Sequence, residues 1–73
     1  MKEIVTTIIN NIRIAKGLNP LDSLSEETLL RDLGLTSFDL AELTVKIEDE
    51  FDIDIFEDGL VSTIGEIYAK LSK

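Results

Sequence analysis

The chain has 73 residues, a formal net charge of −8, no cysteine and no histidine. A chain of this length holds one small domain, which we take as residues 1–73, and leaves no room for a second active domain. Disulfides and thiolate metal sites are excluded because cysteine is absent, and the lack of histidine, the commonest general base, argues against an enzyme.

The sequence contains no run of about 18 apolar residues, which is the length that a membrane-spanning helix needs. It also has no positively charged start followed by a long apolar segment, so no signal peptide is indicated. We therefore expect a cytoplasmic protein without stable membrane insertion.

Residues 2–16 show the apolar period of an amphipathic helix. Gly17 is placed to end this helix as its C′ residue, and Pro20 prevents the helix from continuing. The side chains predicted to form the buried face are Ile4, Val5, Ile8, Ile9, Ile12 and Ala15.

The connection from Gly17 to Thr36 has no sustained period, but leucines recur along it. This pattern predicts a loop that is pinned to the core. The residues 25–28 are expected to cap a short helical turn from Leu29 to Asp32. Long loops inside compact domains are uncommon and often functional.

The tetrad Thr36-Ser37-Phe38-Asp39 has the pattern of a capping box, with Thr36 as N-cap and Asp39 at position N3. Ser37 would then occupy N1, where its hydroxyl is not needed for capping and points outward. A phosphodiester attached there would lie over unpaired backbone N–H groups at the positive end of the helix dipole. An ordinary capped helix start fits the same pattern.

Residues 37–52 form the most regular predicted helix. Its inward stripe consists of Leu40, Leu43, Ile47 and Phe51, with Ala41 and Thr44 beside them. Phe38 and Val45, if partly exposed among Glu42, Glu48 and Asp49, would be apolar anchors inside an acidic rim, as in a docking surface. Alternatively, Phe38 and Val45 are ordinary core residues.

The negative charge is concentrated in residues 37–58, which hold nine acidic side chains against one basic side chain, Lys46. Such a segment repels the phosphates of nucleic acid, so nucleic acid is not an expected partner. It attracts basic protein surfaces. A solvated face that keeps a small protein soluble explains the same charges.

The acidic run also invites a comparison with the calcium-binding EF-hand loop. If the loop began at Asp54, Gly59 would stand correctly at position six, but Phe56 and Gly65 would replace the ligands at positions three and twelve. We therefore predict no dedicated metal site.

The last part of the chain is predicted to be helical. Residues 56–61 are assigned to a short third helix. Ser62 or Thr63 then caps a final helix, since Thr63 and Glu66 have the spacing of a second capping box. The side chains expected to face inward are Ile64, Ile67, Tyr68 and Leu71.

Several of these segments together resemble the acyl carrier protein family. The residues that carry the resemblance are Leu29, Asp32-Leu33-Gly34, Ser37-Phe38-Asp39, Glu42-Leu43, Ile47-Glu48-Asp49-Glu50-Phe51 and Ile55. The resemblance extends more loosely over nearly the whole chain. It implies an all-α fold, a small bundle of three main helices plus one short helix, with a long loop between helices one and two.

The resemblance also implies a site and a cofactor. In the family, the serine that opens the second helix carries a 4′-phosphopantetheine arm, which places that role on Ser37. The family usually has Asp before this serine and Leu after it, where the present chain has Thr36 and Phe38. Thr36 caps a helix as Asp does, so the local fold is expected to be kept.

The implied partners are a phosphopantetheinyl transferase and acyl-loading and acyl-processing enzymes with basic docking surfaces. The positions expected to meet them are Phe38, Asp39, Glu42, Val45, Glu48 and Asp49. The implied function is carriage of acyl thioesters by a monomer, in fatty acid or related lipid or polyketide biosynthesis. Two alternatives stay open: an aminoacyl or peptidyl carrier, and an unmodified acidic protein-interaction domain with the same fold.

Overall fold

The computed structural model describes residues 2–57, 59 and 61–72. Helix α1 spans Lys2–Ala15, α2 spans Ser37–Phe51 and α3 spans Ile64–Leu71, and a short 3-10 helix, Leu30–Leu33, lies in the connection between α1 and α2. Among the described residues there is no strand beyond an isolated bridge between Leu29 and Thr63. The predicted all-α bundle of three main helices and one short helix is confirmed.

The apolar faces of the helices meet in one core. Its buried residues are Val5, Ile8, Ile9, Ile12, Leu30, Leu33, Leu35, Leu43, Ile47, Ile55, Val61, Ile64, Ile67 and Tyr68. The prediction for α1 was wrong for Ile4 and Ala15, which are exposed. At about 100° per residue, both lie on the same edge of the apolar stripe.

The C-terminal end of α1 is closed by Gly17, as predicted. Gly17 has φ +83°. Its N–H donates to the Ile14 carbonyl at 2.9 Å, and the Leu18 N–H donates to the Arg13 carbonyl at 2.9 Å. This bond pattern is the Schellman motif, and it turns the chain sharply into the long loop.

The long loop is fixed at two points along its length, so the prediction of a pinned loop is confirmed. The Asn10 side chain bonds both backbone groups of Leu21, with Nδ2 to the carbonyl oxygen and Oδ1 to the N–H at 2.8 Å each. Further along, the Ile64 N–H donates to the Thr28 carbonyl at 3.0 Å. The loop is thus tied first to α1 and then to the beginning of α3.

The short helix predicted over residues 56–61 is not formed by the described residues of that range, whereas the short helical turn predicted from Leu29 to Asp32 is present as the 3-10 helix Leu30–Leu33. The described residues of the range 56–61 form turns, and Asp58 and Leu60 fall outside the described residues. Gly59 has φ +128°, which no right-handed helix accommodates. The actual short helix begins after Leu29, which makes no side-chain cap. The cap expected from residues 25–28 was wrong, since Ser25 Oγ bonds the Glu27 N–H instead.

Gly34 lies just before α2 and has a left-handed backbone conformation. It has φ +77°, and a Cβ built there would lie 2.9 Å from Leu18 Cδ1. Gly34→Ala is expected to lower the free energy of unfolding by about 1–2 kcal/mol through the left-handed backbone, with a smaller addition while the Leu18 methyl moves aside. Urea unfolding measures this loss.

Gly17→Ala is the matched control, because Gly17 has φ +83° and no atom within 4 Å of its added Cβ. It should show the backbone cost without the contact. If Gly34→Ala were as stable as the wild type, a side chain at position 34 would carry no backbone or contact cost, contrary to this prediction.

Candidate functional site

The N-terminus of α2 is closed by a complete capping box. Thr36 Oγ1 accepts a hydrogen bond from the Asp39 N–H at 3.2 Å, and Asp39 Oδ2 accepts one from the Thr36 N–H at 2.9 Å. The predicted pairing of Thr36 and Asp39 is confirmed. Because Thr36 is the N-cap, the helix begins with Ser37 at N1.

Ser37 is exposed at this first helical position. Its hydroxyl makes no hydrogen bond within the described part of the chain. The backbone N–H groups of Ser37 and Phe38 come before the first helical bond, in which the Leu40 N–H donates to the Thr36 carbonyl at 2.9 Å. A free hydroxyl therefore lies beside amide donors that favour an anion.

Two basic side chains near the end of α1 hold the segment that leads to Ser37. Lys16 Nζ donates to the Gly34 carbonyl at 2.9 Å and forms an ion pair with the Asp39 carboxylate. The Arg13 guanidinium donates to the Leu33 carbonyl. We call Arg13 and Lys16 the α1 clamp. Neither residue was predicted from the sequence, since no local pattern links them to a segment about 20 residues away.

Asp39 joins the capping box to the α1 clamp. It is only 7% exposed, and the hydrogen bond from Lys16, followed by the one from the Thr36 N–H, holds the pKa of its carboxyl below the ordinary value. Burial and these internal bonds make Asp39 a positioning residue. For that reason we leave it out of the docking surface proposed below, although the sequence placed it with the partner-binding residues.

This lowered pKa predicts a pH dependence of stability. Asp39 stabilises the folded state fully above its ordinary pKa, about 4, and this contribution is lost as the pH falls through the lower pKa of the folded state. Asp39→Asn should therefore lower the free energy of unfolding at pH 7 and leave a flatter profile between pH 5 and 2.

Denaturant unfolding across this pH range measures the effect. Asp32→Asn, which removes an exposed carboxylate of the 3-10 helix, is the control. If Asp39→Asn had the same profile as the wild type, the pairing with Lys16 would contribute nothing to folding.

The outer face of α2 combines apolar and acidic side chains. Phe38 is 78% exposed and Val45 is 56% exposed, so the alternative that both are core residues is wrong. Glu48 and Asp49 are exposed, and Glu42 is half-buried. Helical geometry places these five positions on one side of α2, next to Ser37.

A groove of about 430 Å³ opens beside Ser37. Its lining residues are Leu29, Leu30, Arg31, Leu35, Ser37, Leu40, Val61 and Ser62. Apart from Arg31 and the two serines, the walls are apolar. We call this space the Ser37 groove.

Among the described residues, no group of three or more acidic side chains is placed to hold a metal ion. Within the same residues, no helix has both the length and the apolar character that crossing a bilayer requires.

Comparison with known proteins gives one family. Residues 6–71 match the family model described as a phosphopantetheine attachment site. The chain is 32% identical over 74 residues to an acyl carrier protein of Amoebophilus asiaticus, covering 99% of this chain and 88% of that protein. It is 27% identical to the meromycolate extension acyl carrier protein of Mycobacterium tuberculosis, of which it spans 64%. No solved structure matches the chain.

The residues present fit a covalently attached phosphopantetheine. The Ser37 hydroxyl is exposed and unbonded within the described residues, capping is left to Thr36, and an open groove leads away from the site. Together with the matched family model and the relative above 30% identity, this geometry shows that the chain belongs to the acyl carrier protein family, whose attachment domain carries 4′-phosphopantetheine covalently.

Proposed function

We propose that Ser37 Oγ is the attachment point of the arm and that the chain carries acyl groups as thioesters for enzymes of fatty acid or related lipid or polyketide synthesis. The observation that carries this proposal is the exposed Ser37 hydroxyl, unbonded within the described residues, at the first position of a capped helix. The arm supplies the thiol, which the cysteine-free chain lacks.

Attachment requires a separate phosphopantetheinyl transferase. Ser37 Oγ forms the new bond to the phosphorus of coenzyme A that bears the pantetheine, adenosine 3′,5′-bisphosphate leaves, and the hydroxyl proton passes to a base of the transferase. The chain contributes the position of the hydroxyl. Thr36, Asp39 and Lys16 fix the first turn of α2, so little conformational freedom is lost when the enzyme binds.

The proposed docking surface for the transferase and the acyl-processing enzymes consists of Phe38, Glu42, Val45, Glu48 and Asp49. Exposed apolar side chains supply most of the affinity of such a surface, while the carboxylates steer a basic partner and orient it. Because Phe38 follows Ser37 directly, docking there brings the hydroxyl to the edge of the partner's active site.

Phe38→Ala is expected to raise the KM of the transferase for this protein by about tenfold, since a large exposed aromatic side chain next to the reacting group is a typical hot spot. The free energy of unfolding should hardly change. Ile14→Ala is the control, because Ile14 is 54% exposed on α1 and lies outside the proposed docking surface. Equal effects of the two substitutions would count against docking through α2.

The proposal includes four further expectations from the sequence. Residues 1–73 act as a single carrier domain, the protein is monomeric, it catalyses no reaction itself, and it works in the cytoplasm. The names of the relatives, an acyl carrier protein and a meromycolate extension acyl carrier protein, favour acyl groups over aminoacyl groups. The apolar walls of the Ser37 groove suit an acyl chain as well.

Loading of the arm tests this function. The protein is first treated with a broadly acting transferase and coenzyme A, and then with an acyl-activating or an amino-acid-activating ligase. Intact mass should rise by one arm and then by one acyl group, and hydroxylamine should remove the acyl group because it is a thioester. Loading only by the amino-acid-activating ligase would overturn the acyl assignment.

A further inference from the structure

The Ser37 groove contains one charged side chain, Arg31. It comes from the 3-10 helix, is exposed, and is the single ionisable group among the eight lining residues. The other walls are leucine, valine and serine side chains. Among the residues that the structure describes, Arg31 is therefore the one cation that lines a groove together with Ser37.

Arg31 differs from several other basic residues of this acidic chain, whose side chains are already bound to partners. Lys2 pairs with Glu26 at 3.5 Å, and the α1 clamp binds the segment before α2. Within the described part of the chain, Arg31 and Lys46 alone among the basic residues make no hydrogen bond or ion pair. Lys46 lies in a different groove, between α1 and α2, together with Asp49 and Glu50.

We infer that Arg31 binds the phosphodiester of the arm and so holds the beginning of the arm in the Ser37 groove. This inference rests on the proposed attachment at Ser37. The phosphate is bonded directly to Ser37 Oγ, and Ser37 and Arg31 line the same groove. A guanidinium matches two phosphate oxygens with parallel N–H donors, which an ammonium does not.

The interaction is of moderate strength, because Arg31 is exposed and salt screens it. It holds the arm against the protein for part of the time and leaves it free to enter an enzyme.

The experiment compares the modified wild type with modified Arg31→Gln, using Lys46→Gln as the charge-matched control. Intact mass first establishes that each protein carries one arm. NMR then records the Arg31 side-chain N–H in the wild type before and after modification, and the phosphorus resonance in all three proteins. A phosphopantetheinylated serine peptide gives the phosphorus position of a free arm.

We expect the Arg31 N–H to shift on modification and the phosphorus resonance to move toward the free position in Arg31→Gln alone. The fraction of bound arm should fall by about two- to fivefold, as for an exposed charge-assisted contact. Full modification with an unchanged Arg31 N–H and identical phosphorus resonances would overturn this inference and leave the proposed function intact. Absence of the mass gain would overturn both.

Discussion

Ser37→Ala is expected to take up no phosphopantetheine at all when it is incubated with a broadly acting transferase and coenzyme A. The reaction needs an oxygen nucleophile that is exposed and free of competing hydrogen bonds, and the Ser37 hydroxyl meets both conditions among the described residues. Thr36, the neighbouring hydroxyl, is already engaged in bonds to Asp39. Intact mass measures the result directly as the presence or absence of one arm.

The chain offers a close control in Ser62, an exposed serine that lines the same groove. Ser62→Ala should be modified as completely as the wild type. Alanine at position 37 keeps the helix start, because the N-cap is Thr36, so circular dichroism of Ser37→Ala should be unchanged. An arm on Ser37→Ala, or its loss in Ser62→Ala, would move the attachment site away from Ser37.

Leu43→Ala is expected to lower the free energy of unfolding by about 2–5 kcal/mol. Leu43 is fully buried in the core on the inner face of α2. A 73-residue domain has a total stability of only about 4–11 kcal/mol, so this one cavity removes a large part of it. Modification of Ser37 should fall with it, because α2 no longer presents the hydroxyl from a stable helix.

A comparison of Val45→Ala with Leu43→Ala distinguishes the contribution of α2 to stability from its proposed role in docking. Val45 lies two residues further along α2 but is 56% exposed, so its truncation should change the free energy of unfolding by less than about 0.5 kcal/mol. Urea unfolding of both variants, followed by transferase kinetics, provides the comparison. A loss of stability in Val45→Ala as large as that in Leu43→Ala would show that the outer face of α2 belongs to the core.

The features that could be predicted from the sequence are those set by neighbouring residues. The capping box needs only Thr36 and Asp39, three positions apart, and it fixes the start of α2 and the place of Ser37. Gly17 ends α1 for an equally local reason, its positive φ. The inward stripe of α2 follows from helical spacing.

Features that depend on distant residues could not be predicted. Lys16 meets Gly34 and Asp39 only after the long loop has folded back. Periodicity alone does not tell whether a residue at the edge of an apolar stripe is buried or exposed. For this reason Ile4 was wrongly predicted to be buried, and for Phe38 both burial and exposure remained open. The helix predicted over residues 56–61 was wrong because that segment is too short for periodicity to distinguish a helix from a turn, and the positive φ of Gly59 is not helical.

The most direct test of the central claim is the intact mass of the protein purified from its native source, followed by fragmentation. The account predicts one phosphopantetheine per chain, located on Ser37, with or without an acyl thioester. A chain found entirely at its unmodified mass would contradict the carrier function and favour the acidic interaction domain.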